Sequence, residues 1–390
     1  MESMFKTGTP LFFSVSRSIN DISARDWDSL FKADLIEGFG FHKAFEESAI
    51  PGFSIGYLLG RRAGKLAAVI PFFTTDFSFS TLTQGRVKNW ILKLQKRFPR
   101  FLRIKLLFIG SPIAEELYIG IDKDEDFAEV IAQALREIYK FALMSRINTV
   151  LFYNLPEGQD RLAQLLSRHG FCRMEDFPNT RVDLGMAHSA AEYIRSLSRN
   201  ARKDTLRKLR KTAALERPLR SVVTDEPGPA LARIYELYSH NLDDSDVQFE
   251  TLTPAFFLNI CRAMPGVAKF FLTYDGGKLV AFNLCFVKGS VCIDKFIGFD
   301  REVSHKYHLY TFTFYNNIEW CLKNGVRYYQ MGITDYHPKL RLGAKLAPLA
   351  VYFRRLDPFT NFFAQPIARL LQPKNFDPVL KKLKAKTQIS

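Results

Sequence analysis

The chain contains the same pattern of predicted elements twice. A hairpin signal with a Gly-Lys turn between two apolar runs lies in "YDGGKLVAFNLCFVKG" (274–289), and "LGRRAGKLAAVIPFFTT" (59–75) repeats it. Further along, "REIYKFALMSRINTVLFYNL" (136–155) resembles "NNIEWCLKNGVRYYQMG" (316–332), and both indicate an amphipathic helix followed by a buried strand. Two matches in the same order predict an internal duplication, with hairpin, strand, helix and strand in each half.

The first copy is longer than the second. The distance from Gly64 to Ile138 exceeds that from Gly277 to Ile318 by 33 residues. This surplus has about the size of a basic stretch without any acid, which we interpret as an insertion at about 79–110. Because strands alternate with helices in both copies, we predict an α/β fold with mixed sheets and helices on their faces.

The positive charge of the chain is concentrated in two segments. The net charge is +15, and the acid-free stretch between Asp76 and Glu115 contributes +8 of it. The segment from Glu192 to Arg220 contributes the other +7, with ten Lys or Arg against three acids. Two local contacts with anions are therefore expected, rather than a uniformly basic coat, and DNA is not an expected partner.

Several classes of site are excluded by their missing motifs. The sequence has no G-x-S-x-G elbow, no phosphate-binding loop of the G-x-x-x-x-G-K-[ST] type and no H-E-x-x-H. The five cysteines form no C-x-x-C pair, and His305 and His308 lack an evident third ligand. We therefore expect neither a metal site nor disulfides. No apolar run is long enough to span a bilayer and the start does not resemble a signal peptide, so a cytoplasmic protein is expected.

The second basic segment, "SLSRNARKDTLRKLRKT" (196–212), predicts a helix with cations at a spacing of three to four residues. A solvated charged face is the ordinary interpretation of such a run. Here the acids are too few to pair the cations along the helix, so an anionic ligand is an equally good interpretation. The candidate anion-binding cations are Arg199, Arg202, Lys203, Arg207 and Arg210.

Four features of the second half are informative in combination: "EYIRSLSRNARKDTLRKLRKT", "FFLTYDGGKLVAFNLCFVKGSVCIDKFIGFD", a helix over 308–323 and "YYQMGITDYHPKLRLGA". Together they resemble the FemABX-like branch of the GNAT N-acyltransferases. "FGFHKAFEESAI", "GKLAAVIPFF" and "FIGSPIAEE" in the first half fit as well, so the resemblance covers about residues 30–355. It implies two tandem GNAT-like domains, each a mixed, mostly antiparallel sheet flanked by helices. We place them at 1–185 and 186–357, followed by a basic tail at 358–390.

The resemblance also implies the position of the reacting centre. In this family the strand that ends near Met331 leads into a tyrosine-lysine segment, here Tyr336, Lys339 and Arg341. If this segment is a strand, Lys339 and Arg341 lie on the same face. Attack of an amine on a thioester or ester builds negative charge on the carbonyl oxygen, which a fixed cation such as Lys339 stabilises. Asp335 is then a candidate base for the amine, and Tyr336 is a candidate acid for the leaving group. Alternatively, Tyr336 and Arg341 only stabilise the turn.

The expected activity is transfer of an acyl or aminoacyl group to an amine, which can be lipid-linked, without a tightly bound cofactor. Coenzyme A is usually held on a glycine-rich turn at a helix start. The corresponding stretch here, "DREVSHKYHLYTF" (300–312), has no glycine, although Ser304, His305 and Lys306 could hold a phosphate. Acyl-CoA, an acyl carrier protein and aminoacyl-tRNA all remain possible donors. The alternative is a degenerate, non-catalytic GNAT-like module that binds an anionic membrane or nucleic acid.

The first basic segment, "GRVKNWILKLQKRFPRFLRIKLLFIG" (85–110), has the composition of an element that lies on an anionic membrane surface. An amphipathic pair of helices packed on the first domain is an equally good interpretation. Membrane contact would make the protein peripheral on the inner face of the cell membrane. The candidate surface residues are Trp90, Lys93, Lys96, Arg97 and Arg100.

Overall fold

The computed structural model describes residues 9–382 with several gaps, and all structural statements below refer to this part of the chain. The gaps comprise residues 79–89, 91–92, 95–96, 99–102, 244–248, 334, 364–365, 367, 369–371, 376 and 378. Lys96 and Arg100 of the predicted membrane surface thus lie outside the described residues. None of the described helices is long and apolar enough to cross a membrane.

Fifteen described strands form two sheets, one in each of two compact units. The strands of the first unit are β1 (Leu11–Ser16), β2 (Phe53–Arg62), β3 (Lys65–Ser78), β4 (Arg103–Ile109), β5 (Gly120–Ile121), β6 (Thr149–Pro156), β7 (Cys172–Glu175) and β15 (Leu349–Arg355). Those of the second unit are β8 (Asn179–Asp183), β9 (Arg220–Thr224), β10 (Ala268–Asp275), β11 (Lys278–Lys288), β12 (Val291–Phe299), β13 (Tyr328–Gln330) and β14 (Lys345–Ala347).

Eleven described α-helices flank these sheets. In the first unit they are α1 (Ala24–Leu30), α2 (Phe39–Glu47), α3 (Phe127–Met144), α4 (Asp160–Arg168) and α11 (Pro358–Phe362). In the second unit they are α5 (Ala190–Ser196), α6 (Arg199–Ala213), α7 (Leu231–Asp243), α8 (Pro254–Ala263), α9 (Leu309–Lys323) and α10 (Tyr336–Arg341). The α/β class with mixed, mostly antiparallel sheets and flanking helices is thus confirmed.

The two sheets repeat one topology, as the internal duplication predicts. The first sheet has the order β1-β2-β3-β4-β6-β15-β7, and the second, starting from its other end, has the order β9-β10-β11-β12-β13-β8-β14. In each, a hairpin precedes a strand that is followed by a helix and a parallel strand: β4 pairs with β6 across α3, and β12 pairs with β13 across α9. The predicted order of hairpin, strand, helix and strand is therefore present in both halves.

The two units take strands across the boundaries predicted from the sequence. Strand β15 lies in the first sheet, between β6 and β7, although it follows all strands of the second sheet in the chain. Strand β8 precedes residue 186 but pairs with β13 and β14 of the second sheet. Strand β4 is a central strand of the first sheet, so an insertion in this region has to end before Arg103. Sequence order alone does not reveal these exchanges, because each strand is equally apolar in either sheet.

The core of the second unit fixes helix α9 on the sheet. Phe314, Ile318 and Cys321 recur at helical spacing on one face of α9 and are buried. They pack in one cluster with Tyr329 of β13 and with Tyr193 and Ile194 of α5. Burial of such side chains stabilises the fold by roughly 1.5–3 kcal/mol each. The helix start near residue 309 is thereby held at a fixed position above the sheet.

The structure contradicts a strand in the tyrosine-lysine segment. Residues 336–341 form helix α10 rather than a strand, so Lys339 and Arg341 do not share a strand face. The helix is compatible with Pro338 because a proline in the first turn needs no backbone donor. The helix expected over 308–323 is present as α9, and residues 301–308 before it form turns that end at His308 in a left-handed conformation.

Gly343 ends helix α10 in a left-handed conformation with φ of +89°. A Cβ atom at this position would lie 2.4 Å from the Tyr193 hydroxyl and 2.7 Å from Leu197 Cδ2. The same hydroxyl donates a hydrogen bond of 2.7 Å to the carbonyl oxygen of Leu342. Close contact of α10 with α5 therefore requires glycine at this position.

We predict that Gly343→Ala lowers the free energy of unfolding by about 2–4 kcal/mol, combining the left-handed backbone with an overpacked contact. Gly325→Ala is the matched control, because Gly325 also has a positive φ but a Cβ atom added there would meet no described atom within 4 Å. It should cost only about 1 kcal/mol for the backbone. Urea unfolding of both variants measures the difference, and equal losses would show that the contact with Tyr193 is unimportant.

Candidate active site

A cleft in the second unit brings together three elements that are distant in sequence. It has a volume of about 360 Å³ and lies among helix α6, the turns before α9, and helix α10. Ten of the twelve residues that line it have polar or charged side chains. The lining residues are Asp204, Thr205, Lys208, Ser304, His305, His308, Tyr310, Thr311, His337, Pro338, Arg341 and Leu342.

The carboxylate of Asp204 holds two walls of the cleft together. It forms ion pairs with Arg207 at 2.7 Å and Lys208 at 2.9 Å on its own helix, and with Arg341 of α10 at 3.3 Å. The hydrogen bond from Arg207 and the other two cations lower the pKa of Asp204 to about 2. One acid therefore serves three cations, and positive charge is left over at the wall.

The turns before helix α9 use many of their own backbone amides. The amides of Ser304, Tyr307, His308 and Leu309 all donate to carbonyl oxygens within residues 300–305. The amide of Glu302 donates to the side chain of Asp300. Those donors are not available to cradle a phosphate in the manner of a glycine-rich turn. An anion in this cleft would depend mainly on side chains, with Lys208 and Arg341 as the cations that line it.

His308 has two properties that mark it as a functional candidate. Its backbone has a φ of +50°, which is unusual for a residue with a side chain and occurs here directly before helix α9. Desolvation lowers the pKa of its imidazole, and the charges of Lys208, Lys211 and Arg207 lower it further, whereas Asp204 raises it. The imidazole is therefore neutral at pH 7 and able to accept a proton.

Tyr310 of α9 lines the cleft, and a separate polar network lies inside the sheet of the same unit. The Tyr310 hydroxyl is buried and has no hydrogen-bond partner among the described residues. Burial, followed by the charges of Asp294 and Asp335, raises the pKa of Tyr310 far above its usual range. The hydroxyl thus stays protonated and is a hydrogen-bond donor without an acceptor among the described residues.

Asp294 of β12 is the centre of that network. Its carboxylate accepts hydrogen bonds from the Tyr329 hydroxyl at 2.6 Å and from Asn283 Nδ2 at 2.9 and 3.0 Å. The Tyr329 hydroxyl also accepts a hydrogen bond of 3.0 Å from Asn317 Nδ2. Burial raises the pKa of Asp294, while these hydrogen bonds and the charge of Lys339 oppose the shift.

The predicted catalytic residues are not all brought into the cleft. Arg341 lines it, with its side chain about half exposed. Lys339 is buried, and its Nζ donates a hydrogen bond of 3.3 Å to the carbonyl oxygen of Gly332. Tyr336 is also buried, and its hydroxyl donates to the carbonyl oxygen of Pro178 at 3.0 Å. Asp335 precedes α10 and is exposed. The catalytic roles assigned to Lys339, Tyr336 and Asp335 remain predictions.

Only some of the predicted anion-binding residues line the cleft. Ser304 and His305 line the cleft. Lys306 is exposed and lies over the ring of Tyr307. Arg202 donates to the carbonyl oxygen of Arg195. The other cations named from the sequence, Arg199, Lys203, Arg207 and Arg210, are exposed on α6.

The sequence-based site did not include Lys208, Asp204, Tyr310 or His337, and it discounted His308. Thr205 and Thr212, seven residues apart on α6, are both buried. They therefore mark the face of α6 that packs against the rest of the unit. Lys208 and Asp204 flank that face, and only the packing of α6 on α9 reveals it. The i, i+3 spacing of His305 and His308 indicates only a possible metal-ligand pair, and nothing in the sequence marks His308 as a proton acceptor.

We predict opposite changes of the His308 pKa in two variants. Lys211→Ala removes a nearby positive charge and should raise that pKa, because Lys211 disfavours the imidazolium. Asp204→Asn removes the negative charge that favours the imidazolium and should lower it. Titration of the His308 Cε1 proton by NMR measures both shifts. Shifts in the same direction would contradict the electrostatic description of the cleft.

Residues 199–340, which contain the whole cleft except Arg341 and Leu342 at its edge, match the family model described as "Acetyltransferase (GNAT) domain". Over 333 residues the chain is 24% identical to "Putative 8-amino-7-oxononanoate synthase 2" of Mycobacterium tuberculosis. That match covers 82% of this chain and 42% of the relative, so the chain spans less than half of that protein's length.

Among solved structures, FemX has a similar fold, with a TM-score of 0.56 at 14% identity over 90% of this chain and all of FemX. A tandem GNAT protein from the clavulanic acid biosynthesis pathway gives a TM-score of 0.51 at 12% identity, over 90% of this chain and 99% of that one. The C-terminal domain of a putative lysylphosphatidylglycerol synthetase from Agrobacterium fabrum gives 0.52 at 12% identity, over 92% and 98%.

At these identities the likeness to solved structures shows the fold, while the family model shows the kind of domain that carries the cleft. Both comparisons agree with the family resemblance of the sequence and with the shared topology of the two sheets. Residues 199–340 are therefore similar to a GNAT acetyltransferase domain, and the chain shares the fold of FemX and of a tandem GNAT protein.

Proposed function

We propose that this chain is an N-acyltransferase that binds a phosphate-bearing acyl donor in the cleft of the second unit and transfers the acyl group to an amine. The observation that carries this proposal is the composition of the cleft. It combines the cations Lys208 and Arg341 with a neutral imidazole at His308 and an unpartnered buried hydroxyl at Tyr310, all among the described residues. These are the groups that aminolysis of an activated acyl group requires.

The proposed reaction assigns one role to each group. Lys208 and Arg341 bind the phosphate of the donor through charge-assisted hydrogen bonds. The nitrogen of the acceptor amine attacks the carbonyl carbon of the donor, and His308 accepts the proton that this nitrogen loses. Tyr310 donates a hydrogen bond to the carbonyl oxygen as it becomes negative. The bond from the carbonyl carbon to sulfur or oxygen then breaks, and the leaving group takes the proton from His308.

Acyl-CoA, acyl carrier protein and aminoacyl-tRNA share the chemistry that this cleft would recognise, because each carries a phosphate on the arm that ends in the activated acyl group. GNAT domains commonly use acyl-CoA, which makes it the first donor to assay. FemX and the lysylphosphatidylglycerol synthetase domain share the fold, and the name of the second protein supports a lipid as one class of acceptor. The donor assay therefore needs all three donors and both soluble and lipid-linked amines.

We predict that His308→Gln lowers kcat/KM for acyl transfer by about 10²-fold or more, because the amine then lacks a proton acceptor. Tyr310→Phe should lower it by about 10- to 100-fold through loss of one hydrogen bond to the carbonyl oxygen. Release of free thiol or of deacylated tRNA in the presence of an amine panel measures both effects.

His188→Gln and Tyr315→Phe are the matched controls for these variants. His188 lies outside the cleft, and Tyr315 lies on the same helix as Tyr310 without lining the cleft. Both should retain wild-type transfer. Full activity of His308→Gln would remove this residue from the reaction. A wild-type chain that transfers from none of the three donors would instead support the non-catalytic binding module.

We also propose that the first unit contacts an anionic membrane, which would bring the enzyme to a lipid-linked acceptor. Trp90 and Phe98 are more than half exposed, and Lys93 and Arg97 lie in the same segment. Phe359, Phe362 and Phe363 form a second exposed aromatic cluster at α11 of this unit, with ring centroids 5.3 and 5.4 Å apart. Aromatic rings with nearby cations suit the headgroup layer.

Flotation with liposomes tests this contact. The wild-type chain should float with anionic but not with neutral vesicles, and the double variant Lys93→Glu, Arg97→Glu should lose much of that binding, since each cation contributes about 1 kcal/mol. The control is Arg136→Glu, Lys140→Glu, which reverses two cations on α3. Absence of flotation at low salt, or equal loss in both double variants, would contradict the proposal.

A further inference from the structure

A row of four cations on α6 leads to the mouth of the cleft. Arg199, Lys203, Arg207 and Lys211 follow one another at a spacing of four residues on this helix. At this spacing they form an oblique row along one side of the helix, about 18 Å long. Arg207 forms an ion pair of 2.7 Å with Asp204, which lines the cleft, so this end of the row lies beside the cleft.

The row carries more positive charge than the protein itself neutralises. Like charges four residues apart destabilise a helix. Within the described chain only Arg207 of these four has a carboxylate partner, Asp204, which also serves Lys208 and Arg341. Arg199, Lys203 and Lys211 form no ion pair with any described residue. These three cations are therefore able to pair with carboxylates of a partner without losing an internal ion pair.

The cleft beside the row suits a narrow arm with a single phosphate. Its volume is about 360 Å³, at the lower end of ordinary ligand sites. Many backbone amides of the turns before α9 are engaged in internal hydrogen bonds, so the pyrophosphate of a complete coenzyme A would find few of the donors that usually bind it. A phosphopantetheine arm carries only one phosphate, which Lys208 and Arg341 can pair.

A protein fits the row better than RNA does. Recognition of the unpaired end of an RNA relies on flat rings on which bases stack. Tyr310 is the only Tyr, Phe or Trp in the described lining of the cleft, and its hydroxyl end is buried. A straight row of about 18 Å on a single helix matches one acidic helix of a small partner.

We infer that the donor is delivered by an acidic acyl carrier protein. An acidic helix of the carrier lies along Arg199, Lys203, Arg207 and Lys211, and its phosphopantetheine arm enters the cleft between Lys208 and Arg341. This inference rests on the proposed acyl transfer, and it identifies the class of donor for that reaction. Electrostatic contact of this kind accelerates association and weakens as salt rises.

The test compares two donors and two double variants. The donors are acetyl carrier protein and acetyl-CoA, and the variants are Arg199→Glu, Lys203→Glu on the row and Arg136→Glu, Lys140→Glu on α3 as the control. Both pairs are cations four residues apart on a helix of at least 15 residues. The row variant should lose kcat/KM with the carrier at least ten-fold more than with acetyl-CoA, and the difference should shrink at high salt. The control variant should match the wild type with both donors.

Binding of the apo carrier, which lacks the arm, is measured in parallel by fluorescence anisotropy and needs no acceptor. Binding by the wild type that is lost in the row variant supports the inference. Transfer from acetyl-CoA without any binding of the carrier would overturn it while leaving the proposed function intact. Carrier binding without transfer from any donor would support the docking row and contradict the acyl transfer. Binding of tRNA but not of the carrier, lost in the row variant, would overturn the inference in favour of RNA.

Discussion

The ion pairs of Asp204 are the interaction on which the candidate site depends. This carboxylate joins Arg207 and Lys208 of α6 to Arg341 of α10, two helices more than one hundred residues apart in the chain. Because it lies among three cations, which outweigh the opposing effect of its partial burial, its pKa is lowered to about 2 and its charge persists at any physiological pH. Loss of this charge would leave three cations in mutual repulsion at the wall of the cleft. The same carboxylate is the one described charge that favours the imidazolium of His308.

The turns before α9 explain why side chains carry the charge of this site. Their amides are largely satisfied within the turns, so the helix start offers fewer free donors than a glycine-rich turn would. His308 ends these turns with a left-handed backbone, a conformation that costs a residue with a side chain about 1–2 kcal/mol. Packing of Leu309, Phe314 and Ile318 beneath the helix offsets that cost. The strain thus coincides with the residue whose neutral imidazole faces several cations.

Much of the fold follows from the sequence because it depends on local signals that occur twice. The Gly-Lys turns at Gly64 and Gly277 and the amphipathic helices before β6 and β13 determine the order of elements in both sheets. The exchange of β15 and β8 was not predictable, since a short apolar strand satisfies either sheet. The shared face of Lys339 and Arg341 depended on a strand at residues 336–341, but six residues with Pro338 in the first turn are equally able to form one short helix.

The site was only partly predictable for a similar reason. The excess of cations on α6 and the histidines before α9 are visible in the sequence, and so is Arg341. Which of them meet is decided by the rotation of α6 on α9, where Thr205 and Thr212 face inward and Lys208 is carried to the cleft. Tyr310 carries no sequence signal at all, because its unpartnered hydroxyl is a property of the packed structure among the described residues.

The most direct test of the central claim is a crystal structure of the chain with S-acetonyl 4′-phosphopantetheine. In this donor analogue a methylene separates the carbonyl carbon from sulfur, so the acyl group cannot be transferred. We predict that its phosphate lies between Lys208 and Arg341, and that its carbonyl oxygen accepts a hydrogen bond from the Tyr310 hydroxyl with the His308 imidazole beside the carbonyl carbon. An analogue bound elsewhere in the chain, with this cleft unchanged, would contradict the assignment of the donor site.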